Sequence, residues 1–122
     1  MLDRISIVIV TWNGDALLKD CLDSLVQTYG ALPETVVVDN ANLASTAALV
    51  GSYANARYVP LPDNRGFAGG NNAALPFCTK DFILLLNNDT VVRAEPFTQL
   101  MEYLEKHPED EDYWMAKTLW GM

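Results

Sequence analysis

The order of apolar and polar positions along the chain predicts four strands separated by other elements. Residues 5–12, ISIVIVTW, are apolar and rich in β-branched side chains, which is typical of a strand covered on both faces. Residues 35–40, TVVVDN, and residues 81–89, DFILLLNND, show the same buried-strand pattern. Residues 57–61, RYVPL, predict a further strand, and Pro60 indicates that it lies near an edge of the sheet.

Between the first two strands the apolar period changes to that of a helix. The predicted helix runs from Gly14 to Tyr29, and Asn13 or Asp15 could cap its start. Gly30 and Pro33 end it. Its apolar residues fall on one helical face, namely Leu18, Cys21, Leu22, Leu25, Val26 and Tyr29.

Three more helices complete an alternating order of strands and helices. Residues 42–54 predict a weaker helix, and a short one follows a glycine-rich turn as far as about Pro76. Glu95 to Lys106 predicts the last helix, with Phe97, Leu100, Met101 and Leu104 on one face. Strands linked by crossover helices form a parallel sheet. The fold class is therefore α/β, a Rossmann-like three-layer domain with a mainly parallel sheet, formed by residues 1–122 as a single domain.

In such sheets ligands bind at the carboxyl ends of the strands. The four predicted strands are followed by TWNG, by DN, by the turn PDNRGFAGGNN and by NNDT. Each of these segments carries polar residues or glycine. The sequence thus predicts a ligand site at this edge.

Composition narrows the class of ligand. The chain has 122 residues, 50% of them hydrophobic and 20% charged, with a mean hydropathy of +0.05, so it is globular. Its net charge of −8 argues against nucleic acid as a partner, because a phosphate backbone needs a basic surface. A small anionic ligand remains compatible if a cation or helix N-termini offset the charge.

The chain shows no apolar run long enough to span a bilayer and no signal-peptide pattern. We therefore expect a cytoplasmic location, possible also at the inner face of a membrane. Cys21 and Cys78 lie far apart without metal-binding spacing, which indicates reduced structural cysteines. Trp12, Trp114 and Trp120 are interpreted as core or rim residues rather than as a stacking platform.

Asp39 ends the second predicted strand and has two interpretations. Its carboxylate could accept a hydrogen bond from a ligand N–H, such as the imide of a uracil or thymine ring. It could equally form an Asx turn or cap a helix. From this residue alone both interpretations stay open.

The turn GFAGGNN offers Gly66, Gly69 and Gly70 at the start of a predicted helix, where free N–H groups can meet an anion. It is neither GxGxxG nor GxxxxGK[ST], and it follows the third strand, so dinucleotide and P-loop motifs are excluded. Arg65 could face a phosphate. A tight turn with a solvated arginine is the structural alternative.

Asp89 lies just past the fourth strand. A single carboxylate, together with phosphate oxygens and waters, is a common way of holding Mg²⁺ or Mn²⁺. Aspartate is also favoured in turns, which is the structural alternative. His107 is interpreted as a surface residue, and no Ser/His/Asp set appears at a suggestive spacing.

Taken together, SIVIVTWNG, VVVDN, NRGFAGGNN and LLLNNDT resemble the nucleotide-sugar-binding half of family 2 glycosyltransferases with the GT-A fold. The resemblance is closest to the rhamnosyltransferase-like members that build bacterial surface polysaccharides. It covers about residues 4–106, and residues 107–122 form an atypical tail. It implies transfer of a sugar, with inversion and metal assistance, from a nucleoside-diphosphate sugar, such as a UDP- or dTDP-sugar, to an acceptor hydroxyl.

The resemblance also implies roles for individual residues. One group would bind the nucleotide sugar: Thr11 and Asp39 at the nucleobase with Asn13 and Asn40 nearby, Arg65 and the turn with Gly66, Gly69, Gly70 and Asn71 at the phosphates, and Asn88 near the ribose. NND is similar to the DxD-type motif of the family. In it Asp89 would ligate the metal, Mg²⁺ or Mn²⁺.

The chain departs from the family pattern in three places. No Asp-Gly turn follows VDN, and Asn87 occupies the first position of the DxD-like motif. Family members are also typically more than twice this length, and their general base lies in the second half, so we expect that base beyond Met122. The chain alone is then expected to bind nucleotide weakly and to turn over little or nothing. Apolar surface left exposed could produce a homodimer.

Two other hypotheses follow from the same residues. The chain could be a short module that binds a nucleotide or a partner without catalysis. It could also be a Rossmann-like domain with no role toward sugar nucleotides. An Asp89→Ala protein with unchanged nucleotide affinity and metal dependence would favour the second.

Overall fold

The computed structural model describes residues 2–106 and 114–115. After a short 3₁₀ helix, Leu2–Arg4, the chain alternates strands and helices as the sequence predicts. The elements are β1 Ile5–Thr11, α1 Asp15–Tyr29, β2 Thr35–Asp39, α2 Ala44–Gly51, β3 Ala56–Pro60, α3 Gly66–Ala74 with a 3₁₀ turn Leu75–Phe77, β4 Phe82–Asn87, α4 Ala94–Lys106 and β5 Trp114–Met115.

The strands form one sheet in the order β3-β2-β1-β4-β5, and every pair of neighbours is parallel. Val8 of β1 pairs with Val36 on one side and with Leu85 on the other. The α/β class with a parallel sheet is confirmed, and so is the edge position of the strand that contains Pro60. Two-residue β5 was not predicted, because so short a strand leaves no periodic signal.

Helices cover both faces of the sheet. The odd-numbered apolar residues of β1 are therefore buried in one hydrophobic cluster, and Val8 is buried in another. Ile5, Ile7 and Ile9 pack with side chains of α1, α2 and α4 on one face. Val8 packs with Val36, Val38, Leu61 and the α3 residue Ala74 on the other. Burial of β1 on both sides explains why it is apolar at every position except Ser6 and Thr11. Four predicted core residues of α1 are buried, namely Leu18, Cys21, Leu22 and Leu25.

The predicted cap of α1 is wrong. Gly14 is the N-cap residue and makes no side-chain cap bond. Asn13 adopts a left-handed conformation with φ of 49°, and Asp15 is the first helical residue, where it accepts a hydrogen bond from Thr46 of α2. The predicted end is confirmed, because Gly30 takes a left-handed φ of 78°.

At the amino ends of the strands, which we call the amino edge of the sheet, a cluster of polar residues holds the segment that leads into β4. Ser6 donates a short hydrogen bond to Glu34, and the Ser6 hydroxyl accepts one from the Lys80 N–H at 3.2 Å. Thr79 donates to Glu34 through both its N–H and its hydroxyl, at 3.0 and 2.6 Å. These bonds join β1, the segment before β2 and the segment before β4.

Both cysteines are free, and Cys21 is buried while Cys78 is half-buried. Among the described helices none combines the length and the apolar character needed to cross a membrane. The predictions for His107 and Trp120 lie outside the described residues, as do those for the side chains of Phe97, Met101, Leu104 and Trp114.

Candidate functional site

The carboxyl ends of the three adjacent strands β1, β2 and β3 are tied to one another by backbone hydrogen bonds. The N–H of Asn40 donates to the carbonyl of Thr11 at 2.9 Å, which joins the ends of β2 and β1. The N–H of Leu61 donates to the carbonyl of Asp39 at 3.0 Å, which joins β3 to β2. The predicted ligand edge is therefore a continuous, ordered surface rather than a set of independent loops.

Asp39 is completely buried, and its carboxylate accepts three hydrogen bonds from the protein. The N–H groups of Ala41 and Leu43 donate at 2.9 Å each, and the Tyr58 hydroxyl donates at 2.7 Å. The Asx-turn interpretation is thus the one observed. Burial and the bond to Asp39 raise the pKa of the Tyr58 phenol. A direct contact between Asp39 and a nucleobase stays a prediction, and it requires movement of the turn after β2.

Asn40 links the end of β2 to the glycine-rich turn. Its Oδ1 accepts from the N–H of Arg65 at 3.0 Å, and its Nδ2 donates to the carbonyl of Gly66 at 3.1 Å. Asn40 is 5% exposed, so its amide is largely shielded from water. Asn40 therefore sets the position of the turn, which a role near a bound nucleotide would need.

The glycine-rich turn opens directly into α3. Gly66 has a φ of 72°, a left-handed conformation that favours glycine, and its N–H donates to the Asn64 side chain at 2.9 Å. Arg65 is exposed and donates to Asp63 at 3.2 Å. That ion pair is solvent-accessible and weak, so Arg65 remains available to a stronger anion.

Gly70 allows α3 to lie directly against β1. A Cβ at this position would stand 2.7 and 3.0 Å from the two methyl groups of Val10, and 3.4 Å from Nδ2 of Asn40. Gly69 lies in the same helix. Asn71, the residue after Gly70, is 8% exposed. Within the described part of the chain the Oδ1 atom of Asn71 has no hydrogen-bond partner.

We expect Gly70→Ala to lower the free energy of unfolding by about 1–3 kcal/mol, because both methyl groups of Val10 oppose the new Cβ and rotation of one side chain cannot clear both. Gly51→Ala is the matched control, since a Cβ at this α2 position meets nothing within 4 Å. It should raise stability by a few tenths to about 1 kcal/mol. Urea denaturation of both proteins measures the two values. Stabilisation by Gly70→Ala would contradict the close packing of α3 on β1.

The ends of β1 and β4 meet through side chains. Nδ2 of Asn88 donates to Oγ1 of Thr11 at 3.2 Å, and Thr11 is buried. Gly14 lies against this pair, because a Cβ there would be 3.0 Å from Nδ2 of Asn88. Asn13, two residues after Thr11, is exposed at the same edge. Three of the predicted nucleotide-binding residues are therefore neighbours in space.

Asp89 is exposed in the turn that follows β4. Burial first, and then the charge of Asp89, raise the pKa of the Cys21 thiol to about 12. The described residues contain no group of three or more His, Cys, Asp or Glu that could hold a metal by themselves. An open carboxylate of this kind fits Mg²⁺ or Mn²⁺ when phosphate oxygens and waters supply the other ligands.

Trp12 was interpreted from the sequence as a core or rim residue, and the rim alternative is the one observed. It is 59% exposed and stands between Thr11 and Asn13 at the end of β1. An exposed aromatic ring at this edge is also a candidate for stacking, a role that the sequence interpretation set aside. Phe67 and Val91, also in loops or first turns at this edge, are exposed as well.

A cleft of about 730 Å³ lies at the opposite, amino edge of the sheet, between Glu34, Arg57 and Phe77. None of the sequence-predicted site residues lines it. We place the candidate site at the carboxyl edge rather than in this cleft, because the strand-end geometry and the open carboxylate are there.

Known proteins resemble this chain in sequence. Residues 6–111 match the model of glycosyl transferase family 2. The amylovoran biosynthesis glycosyltransferase AmsE of Erwinia amylovora is 33% identical over 96 residues, which cover 75% of this chain and 36% of AmsE.

Two solved structures share the fold, both at low identity. TarS 1-349 of S. aureus in complex with UDP-GlcNAc gives a TM-score of 0.73 at 23% identity, over 85% of this chain and 32% of that one. The mannosyltransferase PcManGT of Pyrobaculum calidifontis, in complex with GDP-Man and Mn²⁺, gives a TM-score of 0.71 at 22% identity. The match covers 83% of this chain and 32% of PcManGT. The chain spans 28% to 36% of the length of the curated relatives it matches.

Proposed function

This chain belongs to glycosyl transferase family 2, and we propose that it binds the donor of a reaction that moves a sugar from a nucleoside diphosphate to an acceptor hydroxyl. The observation that carries the proposal is the direct bond between Thr11 and Asn88 at the carboxyl edge, next to the exposed carboxylate of Asp89. Neighbouring residues could thus bind the nucleoside of the donor and the metal ion at its diphosphate.

The nucleobase would lie over the ends of β1 and β2. Thr11 and Asp39 would define this end of the site, Asp39 through the turn that it holds, with Asn13 and Asn40 beside them. Trp12 offers an exposed aromatic face on which a base could stack, an interaction worth about 1–3 kcal/mol.

The diphosphate would lie along the glycine-rich turn. The first N–H groups of α3, behind Gly66, have no partner within the helix and suit an anion. Arg65 would exchange its exposed partner Asp63 for a phosphate. The close packing at Gly69 and Gly70 would keep this helix end in place. Asn71, whose buried Oδ1 has no partner among the described residues, would accept a hydrogen bond from the nucleotide sugar.

Asp89 would hold the metal, and Asn88 would lie near the ribose. The uncharged Asn87 and Asn88 keep negative charge beside the diphosphate low in a chain whose net charge is −8. A bound Mg²⁺ or Mn²⁺ would neutralise the leaving nucleoside diphosphate as a Lewis acid. PcManGT, a structural neighbour, was solved with Mn²⁺, which supports testing that ion first.

We further propose that the donor is a UDP- or dTDP-sugar, that transfer is hexosyl or rhamnosyl with inversion, and that the product belongs to a cell-surface polysaccharide. Relatives such as AmsE support the polysaccharide assignment. Inversion requires a base to deprotonate the acceptor, and we assign that base to no described residue. The location proposed is cytoplasmic, where nucleotide sugars are made.

Calorimetry with UDP, dTDP and GDP, each with and without Mn²⁺, tests the proposal. We expect binding of at least one of them at millimolar or lower concentration, at least about tenfold tighter with metal. GDP is included because the neighbour PcManGT holds GDP-Man. A folded sample that binds none of the three in either condition would refute the donor-binding role.

A further inference from the structure

The segment that carries Asp89 is fastened to α1 at a point well beyond the strand. Residues 88–92, here called the Asp89 loop, leave β4 through a turn in which the N–H of Thr90 donates to the carbonyl of Asn87 at 3.2 Å. The other end of the loop is Val92, whose side chain is 8% exposed and belongs to the core. Asp89 is thus held between two fixed ends.

One face of α1 supplies contacts to both ends of the Asp89 loop. The Ser24 hydroxyl accepts from the N–H of Val92 at 2.8 Å, and Thr28 donates to the carbonyl of Val92 at 3.4 Å. Cys21 lies with its sulfur 3.9 Å from the carbonyl of Asn87. Spacings of three and four residues align these side chains along one face of the helix.

The bond from Val92 to Ser24 is the strongest of the three contacts. It is short and buried, and Ser24 is 6% exposed. The same hydroxyl donates to the carbonyl of Cys21 at 2.7 Å, so its orientation is fixed and a lone pair points at Val92. Without this hydroxyl the Val92 N–H would be buried with no acceptor, and the loop would have to shift to reach water.

We propose that Ser24 is a positioning residue for the metal site, holding the Asp89 loop so that the carboxylate is already placed when metal and diphosphate bind. This inference rests on the proposed function. An exposed carboxylate on a mobile loop must be ordered when it coordinates, and an anchored loop avoids that cost. Side chains that hydrogen-bond a metal ligand directly change metal affinity tenfold to a hundredfold. Ser24 acts through the backbone of the loop, so we expect an effect at the lower end of that range.

Ser6 provides a matched control at the opposite edge of the sheet. Its buried hydroxyl also accepts from a backbone N–H that flanks β4, that of Lys80, before the strand rather than after it. Ser6→Ala and Ser24→Ala should therefore both reduce stability. Only Ser24→Ala should change the response to metal.

The experiment compares UDP affinity with and without Mn²⁺ by calorimetry. In Ser24→Ala the metal-dependent gain should fall about tenfold from its wild-type value, while metal-free affinity stays within about twofold. Ser24→Thr keeps the hydroxyl and should recover most of the gain, and Ser6→Ala should retain all of it. Hydrogen exchange at the Val92 amide should be faster in Ser24→Ala alone, a readout independent of ligand.

Each outcome decides a separate point. A wild-type protein that binds UDP with no metal response refutes both the metal site and this inference. A wild-type response that Ser24→Ala preserves within twofold refutes this inference alone. If Ser24→Ala does not fold, Thr28→Val carries the test with an expected fall of about threefold, smaller because its bond is longer. An unchanged gain in that variant refutes the inference.

Discussion

Asp39→Ala is expected to lower the free energy of unfolding by about 3 kcal/mol or more. The substitution removes the fully buried acceptor of the Ala41 and Leu43 N–H groups. It leaves the Tyr58 hydroxyl only its longer contact with the Leu43 carbonyl, at 3.2 Å. Hydrogen bonds to a charged group contribute about 1.5–3 kcal/mol each, and buried unsatisfied donors cost a similar amount. Urea denaturation at neutral pH measures the loss.

Tyr58→Phe is the matched partial change. It removes one of the three donors, together with the 3.2 Å bond from Tyr58 to the carbonyl of Leu43, and leaves the two backbone bonds intact. We expect a loss of about 1 kcal/mol. An Asp39→Ala protein within about 1 kcal/mol of wild type would contradict the assignment of Asp39 as the centre of this turn.

Tyr58→Phe and a further variant, Asp39→Asn, separate the two interpretations of Asp39. The Asp39 carboxylate could act only by holding the turn. In that case Tyr58→Phe, which loosens the turn, should weaken the binding of every nucleotide to the same extent, whatever its base. If the carboxylate also accepts from a base imide, Asp39→Asn should weaken UDP binding more than CDP binding, because cytosine has no imide N–H to donate. The ratio of the two affinities distinguishes these cases.

The strands could be predicted because their physical causes are local. β1, β2 and β4 are buried on one or both faces, so their sequences are apolar over consecutive positions. The edge position of β3 also followed from one residue, since Pro60 cannot donate to a neighbouring strand. From the strand order alone, the carboxyl edge was the expected place for the site, and Thr11, Asn40 and Asn88 do converge there.

What the sequence could not reveal depends on contacts between distant segments. Asp15 accepts from Thr46 rather than capping its own helix, and Asn40 fixes the turn at Gly66. The bond from Val92 to Ser24 joins residues 68 positions apart. In each case several side chains have the right chemistry for the role, and only the packing of the sheet and helices selects the partner.

The selection of these contacts has a common result. The turn after β2 is held by Asp39, the glycine-rich turn by Asn40, and the loop after β4 by Ser24. Each anchor is buried, while Asn13, Arg65 and Asp89, the groups proposed to meet the ligand, are exposed. Rigid support beneath exposed polar groups is what a pre-organised binding site requires.

Asp89→Ala is expected to remove the effect of metal on nucleotide binding. In the presence of Mn²⁺, UDP affinity should fall at least about tenfold, because the metal loses the one protein carboxylate proposed to bind it. Without metal, Asp89→Ala should no longer lower the affinity for UDP. The Asp89 carboxylate repels the diphosphate, so its removal should leave affinity unchanged or raise it by about twofold, as expected for an exposed charge.

This difference between the two conditions distinguishes a lost metal ligand from general damage, which would weaken binding in both. Asp81→Ala is the matched control, since Asp81 lies at the other end of β4, where its exposed carboxylate pairs with Arg4 at 2.9 Å. It removes the same charge from the chain and should change neither affinity. Because the two substitutions alter net charge equally, any difference in UDP affinity between them is due to the position of the carboxylate that was removed. Equal metal dependence in wild type and Asp89→Ala would exclude Asp89 as the metal ligand.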